Sequence, residues 1–147
     1  MSVHAYHRCW MHLIWSTYKR RKLLLSSEVR KRVSNYLYKY AESRSILMRA
    51  NYVNADHVHA LIDLSPDKNI QDIVKLLKGS SSHWINKNRI IENRFSWGRG
   101  YGAFSVSQSY VSVVVHYIQN QEVHHRRKSF TEEYESFLKA NNLNMVR

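Results

Sequence analysis

His57-Val58-His59-Ala60-Leu61-Ile62-Asp63-Leu64 alternates with a period of two. Successive side chains of a β-strand point to opposite faces, so a strand sorts these residues into two sets. Val58, Ala60, Ile62 and Leu64 form one face, wholly apolar, which predicts a buried side beneath covering helices. His57, His59, Leu61 and Asp63 form the other. That face turns away from the core, and its two imidazoles stand side by side where a ligand can reach them.

The flanking sequence completes an α+β pattern. Residues 4–17, rich in aromatics and without a helix cap, read as a first strand. Ser26 or Ser27 caps a helix to about Ser43, with Val29, Val33, Tyr36, Leu37 and Tyr40 spaced three or four apart. Ile46 to Asn54 reads as a second strand, tightly joined to the third. Pro66-Asp67 breaks the chain, and a helix to about Arg89 follows, with Ile70, Ile73, Val74, Leu77, Trp84 and Ile85 as its apolar stripe. Beyond Gly98-Arg99-Gly100, Tyr101 to Val106 reads as a short strand. Ser107 then caps a helix over about 108–125, and Ser129 opens a last one through Lys139. The order β-α-β-β-α-β predicts a ferredoxin-like (RRM-like) fold: one antiparallel sheet, two helices on one face, and two further C-terminal helices.

One domain over residues 1–147 accounts for the length, and 44% hydrophobic residues suffice for a core. Lys and Arg number 23 against 11 acids, a net charge of +12, which points to a polyanionic partner such as nucleic acid. The basic residues cluster at Arg8 and Lys19–Lys22, at Arg94 and Arg99, and at His124–Lys128. Ten Tyr and four Trp offer platforms for unstacked bases. Trp15, Trp84 and Tyr36 fall at core positions, whereas Trp97, beside Gly98, is expected to contact a base. His83, His116, His124 and His125 read as surface or helix-end residues, and Cys9 as packed. A single cysteine excludes a disulfide framework and a multi-cysteine zinc site. No apolar run approaches the roughly 18 residues of a membrane span, and the first residues do not resemble a signal peptide.

Two constellations carry chemistry. Chance alone supplies about half an H-x-H among nine histidines, so the tripeptide gains its weight from its strand. Tyr117 and Gln121 stand four apart on the predicted helix, hence neighbours on one face. A metal held by His57, His59 and the Gln121 oxygen would polarise a phosphodiester, and Tyr117 would attack the phosphorus. Imidazole with amide oxygen suits Mg²⁺ or Mn²⁺. A tyrosine needs activation, and the sequence identifies no general base for it; for a reaction using water, none stands beside the histidines unless Asp56 or Asp63 serves. Tyr110, seven residues before Tyr117, falls on the same predicted face and reads as a packing or stacking residue.

Over nearly its whole length the chain resembles the small single-tyrosine transposases of bacterial insertion sequences, the HUH class of the insertion-sequence-200 type. The resemblance lies in His12-Leu13-Ile14-Trp15-Ser16-Thr17, in Asp56-His57-Val58-His59-Ala60-Leu61 as the HUH motif, and in Leu77-Lys78-Gly79-Ser80-Ser81-Ser82. It continues through Gly100-Tyr101-Gly102-Ala103-Phe104-Ser105-Val106-Ser107, Tyr117-Ile118-Gln119-Asn120-Gln121-Glu122 and Phe130-Thr131-Glu132-Glu133-Tyr134. It implies a bacterial cytoplasmic, nucleoid-associated enzyme that cuts and rejoins single-stranded DNA without ATP, near hairpins at element ends. It also implies a homodimer in which the tyrosine helix of one subunit completes the histidine pair of the other. On this pattern Tyr117 is the nucleophile, and His57, His59 and Gln121 are the metal ligands. Arg20, Arg21, Lys78, Trp97 and Arg99 are the expected DNA contacts. Two alternatives share the fold: a non-catalytic single-stranded nucleic-acid-binding domain, and a domesticated nickase acting on chromosomal repeats. A metallohydrolase using water fits the residues less well.

Overall fold

A computed structural model describes residues 6–143, so His4 and Ala5 of the expected first strand lie outside the described residues. Four strands, β1 (Trp10–Ser16), β2 (Leu47–Val53), β3 (His57–Asp63) and β4 (Gly102–Val106), form one sheet in the order β2-β3-β1-β4. All three pairings are antiparallel. Two helices, α1 (Ser27–Ser43) and α2 (Ile70–Lys87), are the crossovers, as the periodicity predicts. The Ser26 hydroxyl accepts from the Val29 N–H at the start of α1, and Asn69 caps α2 through the Asp72 N–H.

One sheet face is the expected core. Leu13, Trp15, Val58, Ala60 and Ile62 pack there against Val33 and Leu37 of α1 and Ile73, Leu77 and Ile85 of α2. The opposite face is closed as well, by α3 (Val111–Gln119), α4 (Gln121–His125) and α5 (Phe130–Ala140). Trp10, Ala50 and Leu61 pack against Val111, Val115 and Ile118 of α3, and Ile14 and Phe104 against Phe130 of α5. His57 and His59 are therefore 1% and 0% exposed, not open to solvent as their strand alternation suggests. Trp10 and Phe130 are each apolar anchors worth roughly 2–3 kcal/mol of burial, enough to hold a layer over polar residues.

The expected helix over 108–125 is broken. Gln108–Tyr110 forms a separate 3₁₀ turn, and the helix after it stops at Asn120 before resuming as α4. There the Asn120 side-chain amide and its backbone N–H both donate to the His116 carbonyl, at 2.8 and 3.1 Å, capping the end of the helix. Tyr110 thus lies outside the tyrosine helix, 62% exposed, and does not share the face of Tyr117. The last helix opens on a capping box between Ser129 and Glu132. No helix among the described residues is long and apolar enough to cross a membrane.

Candidate active site

The third strand delivers His57 and His59 to the face covered by the C-terminal helices, and each ring is fixed from behind. His57 Nδ1 lies 2.7 Å from Asp56 Oδ1, leaving Nε2 turned inward. His59 Nδ1 lies 2.8 Å from Nε2 of His12, a buried neighbour on β1. The fourth helix adds His125, whose Nδ1 meets the Lys128 carbonyl at 2.9 Å. Three Nε2 atoms therefore point into one space, each with its ring orientation set by a second partner.

Glu133 of α5 fills that space. Its Oε1 lies 3.0 Å from His59 Nε2, 3.3 Å from His125 Nε2 and 3.4 Å from His57 Nε2. The four donor atoms fall within 4.8 Å of one another. Tetrahedral ligation at bond lengths of about 2.1 Å sets donors about 3.4 Å apart, so the set fits a divalent cation. Gln121, fully buried, reaches the same cluster: its Oε1 lies 2.9 Å from His125 Nε2 and 3.4 Å from the Asn54 amide. The carboxylate missing from the sequence reading thus comes from 74 residues beyond His59. Asp63 is not that group; it binds Arg8 and the Cys9 N–H at the far end of the strand.

Tyr117 closes the site. Its hydroxyl donates to Glu133 Oε2, and its ring centroid stands 5.8 Å from His59 and 4.5 Å from His124. One carboxylate therefore touches the three imidazoles with one oxygen and the tyrosine with the other. A 330 Å³ cavity lined by Val123, His124, Arg127 and Lys128 opens onto Tyr117 and Glu133. A separate 310 Å³ cavity, lined in part by Phe130, presents Lys22, Arg30 and Arg126 beside His125. The basic run 124–128 is thus divided among three environments.

The electrostatics follow from burial. Desolvation lowers the His59 pKa to about 4 and holds His12 well below its ordinary value. His57 is also desolvated, yet its bonds to Asp56 and Glu133 carry its pKa upward. Burial opposes the charge of Glu133, but the three imidazoles hold its carboxyl far below the usual carboxylate range. Burial and the Glu133 charge both raise the Tyr117 pKa. The sign for stability is set by the histidines. Unfolded, all three bind protons near pH 6.5; folded, only His57 does so readily. The metal-free protein should lose stability as pH falls from 6.5 toward 4, by roughly 3 kcal/mol from His59 alone. Thermal melts across that range, without metal, check the direction.

Of the expected DNA contacts, Arg20, Arg21 and Arg99 lie at or near the surface, and Arg20 and Arg99 line one cavity. Two others have partners within the protein. Trp97 is only 9% exposed, donates from Nε1 to Ser81 Oγ and packs edge-on to Trp15. Lys78 donates from Nζ to the Gly98 and Gly100 carbonyls at 2.6 and 3.0 Å. His125 and Glu133 are the residues the sequence reading missed. The spacing of His125 from Gln121 was one available signal; an acid within the stripe Phe130, Glu133, Tyr134 and Phe137 was the other.

A histidine pair on a central strand, facing a tyrosine carried by a helix across the same sheet, is the arrangement that the resemblance to single-tyrosine transposases implies. The chain belongs to the IS200-like transposase family, whose sequence profile matches residues 5–121, and so is an enzyme acting on DNA. It is 30% identical over 115 residues to the ISDra2 transposase TnpA of Deinococcus radiodurans, covering 75% of this chain and 81% of that one. A crystal structure from Deinococcus radiodurans matches at a TM-score of 0.65 and 27% identity, over 82% of this chain and 96% of that one. The structure of a REP-associated tyrosine transposase bound to a REP hairpin shares the fold, with a TM-score of 0.61 and 17% identity, over 85% and 74% of the two chains.

Proposed function

We propose that the protein cuts and rejoins single-stranded DNA at insertion-sequence ends, through a covalent link between Tyr117 and a 5′ phosphate. The observation that carries this reading is the Glu133 carboxylate, shared between the Tyr117 hydroxyl and three converging imidazoles. The Tyr117 oxygen attacks phosphorus, the bond to the 3′ oxygen breaks, and that oxygen leaves as a free hydroxyl. One phosphodiester replaces another, so no external energy source is needed. Glu133 Oε2 holds the tyrosine hydroxyl in place and is the nearest acceptor for its proton. Arg127 and Lys128, beside the same cavity, supply positive charge for the strand.

His57, His59, His125 and Glu133 would hold a divalent cation, with the Gln121 oxygen next to them. Such an ion polarises a phosphoryl oxygen and offsets charge developing on the leaving group. Three imidazoles and a carboxylate favour Mn²⁺ over Mg²⁺. In this single chain all these groups lie together. The hairpin in the REP-associated relative supports a hairpin as the recognition element.

The test is a covalent-adduct assay. Purified protein meets labelled single-stranded oligonucleotides from the flanks of its own gene, with Mn²⁺, with Mg²⁺ or with chelator. A denaturation-resistant protein–DNA band that requires metal is the expected result. Tight hairpin binding with no such band under any condition would leave a non-catalytic DNA-binding domain.

A further inference from the structure

We propose that the cavity between Ser16–Arg20, the Gly98–Tyr101 loop and α5 seats one unstacked nucleotide of the DNA strand, next to the phosphate that is cut. The proposal rests on the transposase reading and adds a place where the enzyme grips a single base. The cavity measures 230 Å³. That is below the range of about 300–1,000 Å³ for drug-sized ligands, and suits one base better than a stacked pair.

Its lining has both chemistries a nucleotide needs. Lys19, Arg20 and Arg99 surround it, and no carboxylate does. Tyr101, Phe130 and Tyr134 supply flat apolar surface, the last two stacked at 5.5 Å with 16° between their planes. The Arg20 guanidinium lies over both rings, at 5.3 and 5.8 Å, and donates to Thr131 Oγ1 at 2.9 Å. Neither the Lys19 nor the Arg99 side chain has a hydrogen bond or ion pair among the described residues. The Lys19 ammonium rests over the Tyr18 ring at 5.3 Å, and cations beside aromatic faces are the pattern that holds a phosphate and a base together.

The walls are built, not incidental. Lys19 and Arg20 sit at φ 52° and 54°, the left-handed region that side-chain-bearing residues rarely adopt. Gly100 has φ 80°. A Cβ on Gly98 would stand 2.9 Å from the Thr17 carbonyl, so the loop lies directly on the end of β1. Lys78 ties the Gly98 and Gly100 carbonyls together from below. Such strain persists only where the surroundings enforce it, and here it turns cations toward one cavity.

The position ties the cavity to the reaction. Phe130, one of its walls, stacks on His57 at 4.0 Å and 13°. Ile14, also in its lining, lies opposite His59 in the β1–β3 register. A base held here is one side chain away from the imidazole cluster. A duplex could not present it, because a paired and stacked base has no free face to offer.

An abasic scan tests this. A single abasic site is moved one position at a time through the labelled flanking strand, and affinity is measured for the full-length protein and for Tyr101→Ala and Arg99→Ala. One position should weaken wild-type binding by about 5- to 100-fold, the value of one base stacked on aromatic side chains. At that position Tyr101→Ala should be nearly insensitive, and Arg99→Ala should bind more weakly with or without the base. Equal tolerance of abasic sites everywhere, or a penalty that survives Tyr101→Ala, would overturn the pocket. In either case a Tyr117 adduct would still form, whereas failure of the transposase reading removes the adduct itself.

Discussion

Tyr117→Phe should reduce the covalent protein–DNA adduct by roughly 10⁴-fold or more, the scale of losing a nucleophile for which no neighbour substitutes. Tyr52 lies opposite His59 in the β2–β3 register, but among the described residues the hydroxyl that meets Glu133 is that of Tyr117. Tyr110 belongs to a separate exposed turn, and Tyr134 stacks on Phe130 away from Glu133 Oε2. Only the hydroxyl is removed, and the ring keeps its contacts with His59, His124 and Phe137. Folding and hairpin affinity should therefore stay close to wild type. Electrophoresis after denaturation, beside a native binding assay, separates the two effects; an adduct that persists in the variant would move the nucleophile elsewhere.

Glu133→Gln should weaken Mn²⁺ binding by about 100-fold and lower adduct formation at least as much, with the fold retained. The substitution keeps shape and removes the only acid, among the described residues, in direct contact with the three Nε2 atoms. Glutamine can still accept from Tyr117, so a positional defect alone would leave metal affinity unchanged. Calorimetric titration with Mn²⁺ reads that difference without any DNA present. Gln121→Ala provides the comparison, since Gln121 contacts the cluster through His125. If Gln121→Ala lost more metal affinity than Glu133→Gln, the amide and not the carboxylate would be the essential oxygen donor.

The sequence carried the parts of this arrangement that local pattern dictates. The alternation of His57 to Leu64 placed both histidines on one face, and Ser129 marked the start of the last helix. Residues whose role depends on long-range packing were not visible in this way. His125 and Glu133 join the histidines only because Phe130, Val111, Val115 and Ile118 dock on the outer sheet face. Nothing in the spacing of Asn120 announced that the helix would end there, with its amide capping the preceding turn. The surroundings of Lys78 and Trp97 depend on packing in the same way. A basic or aromatic residue near a glycine loop looks available to DNA until the loop's own carbonyls and Ser81 claim it.

The two left-handed residues at the mouth of the nucleotide cavity place heat tolerance and function in opposition. Each carries roughly 1 kcal/mol of backbone strain that a glycine at the same φ would not. Yet Lys19 and Arg20 are two of the three cations around that cavity. A library of variants selected for thermal survival alone would drift toward glycine at these positions, and the sturdier proteins it yielded would hold DNA less well.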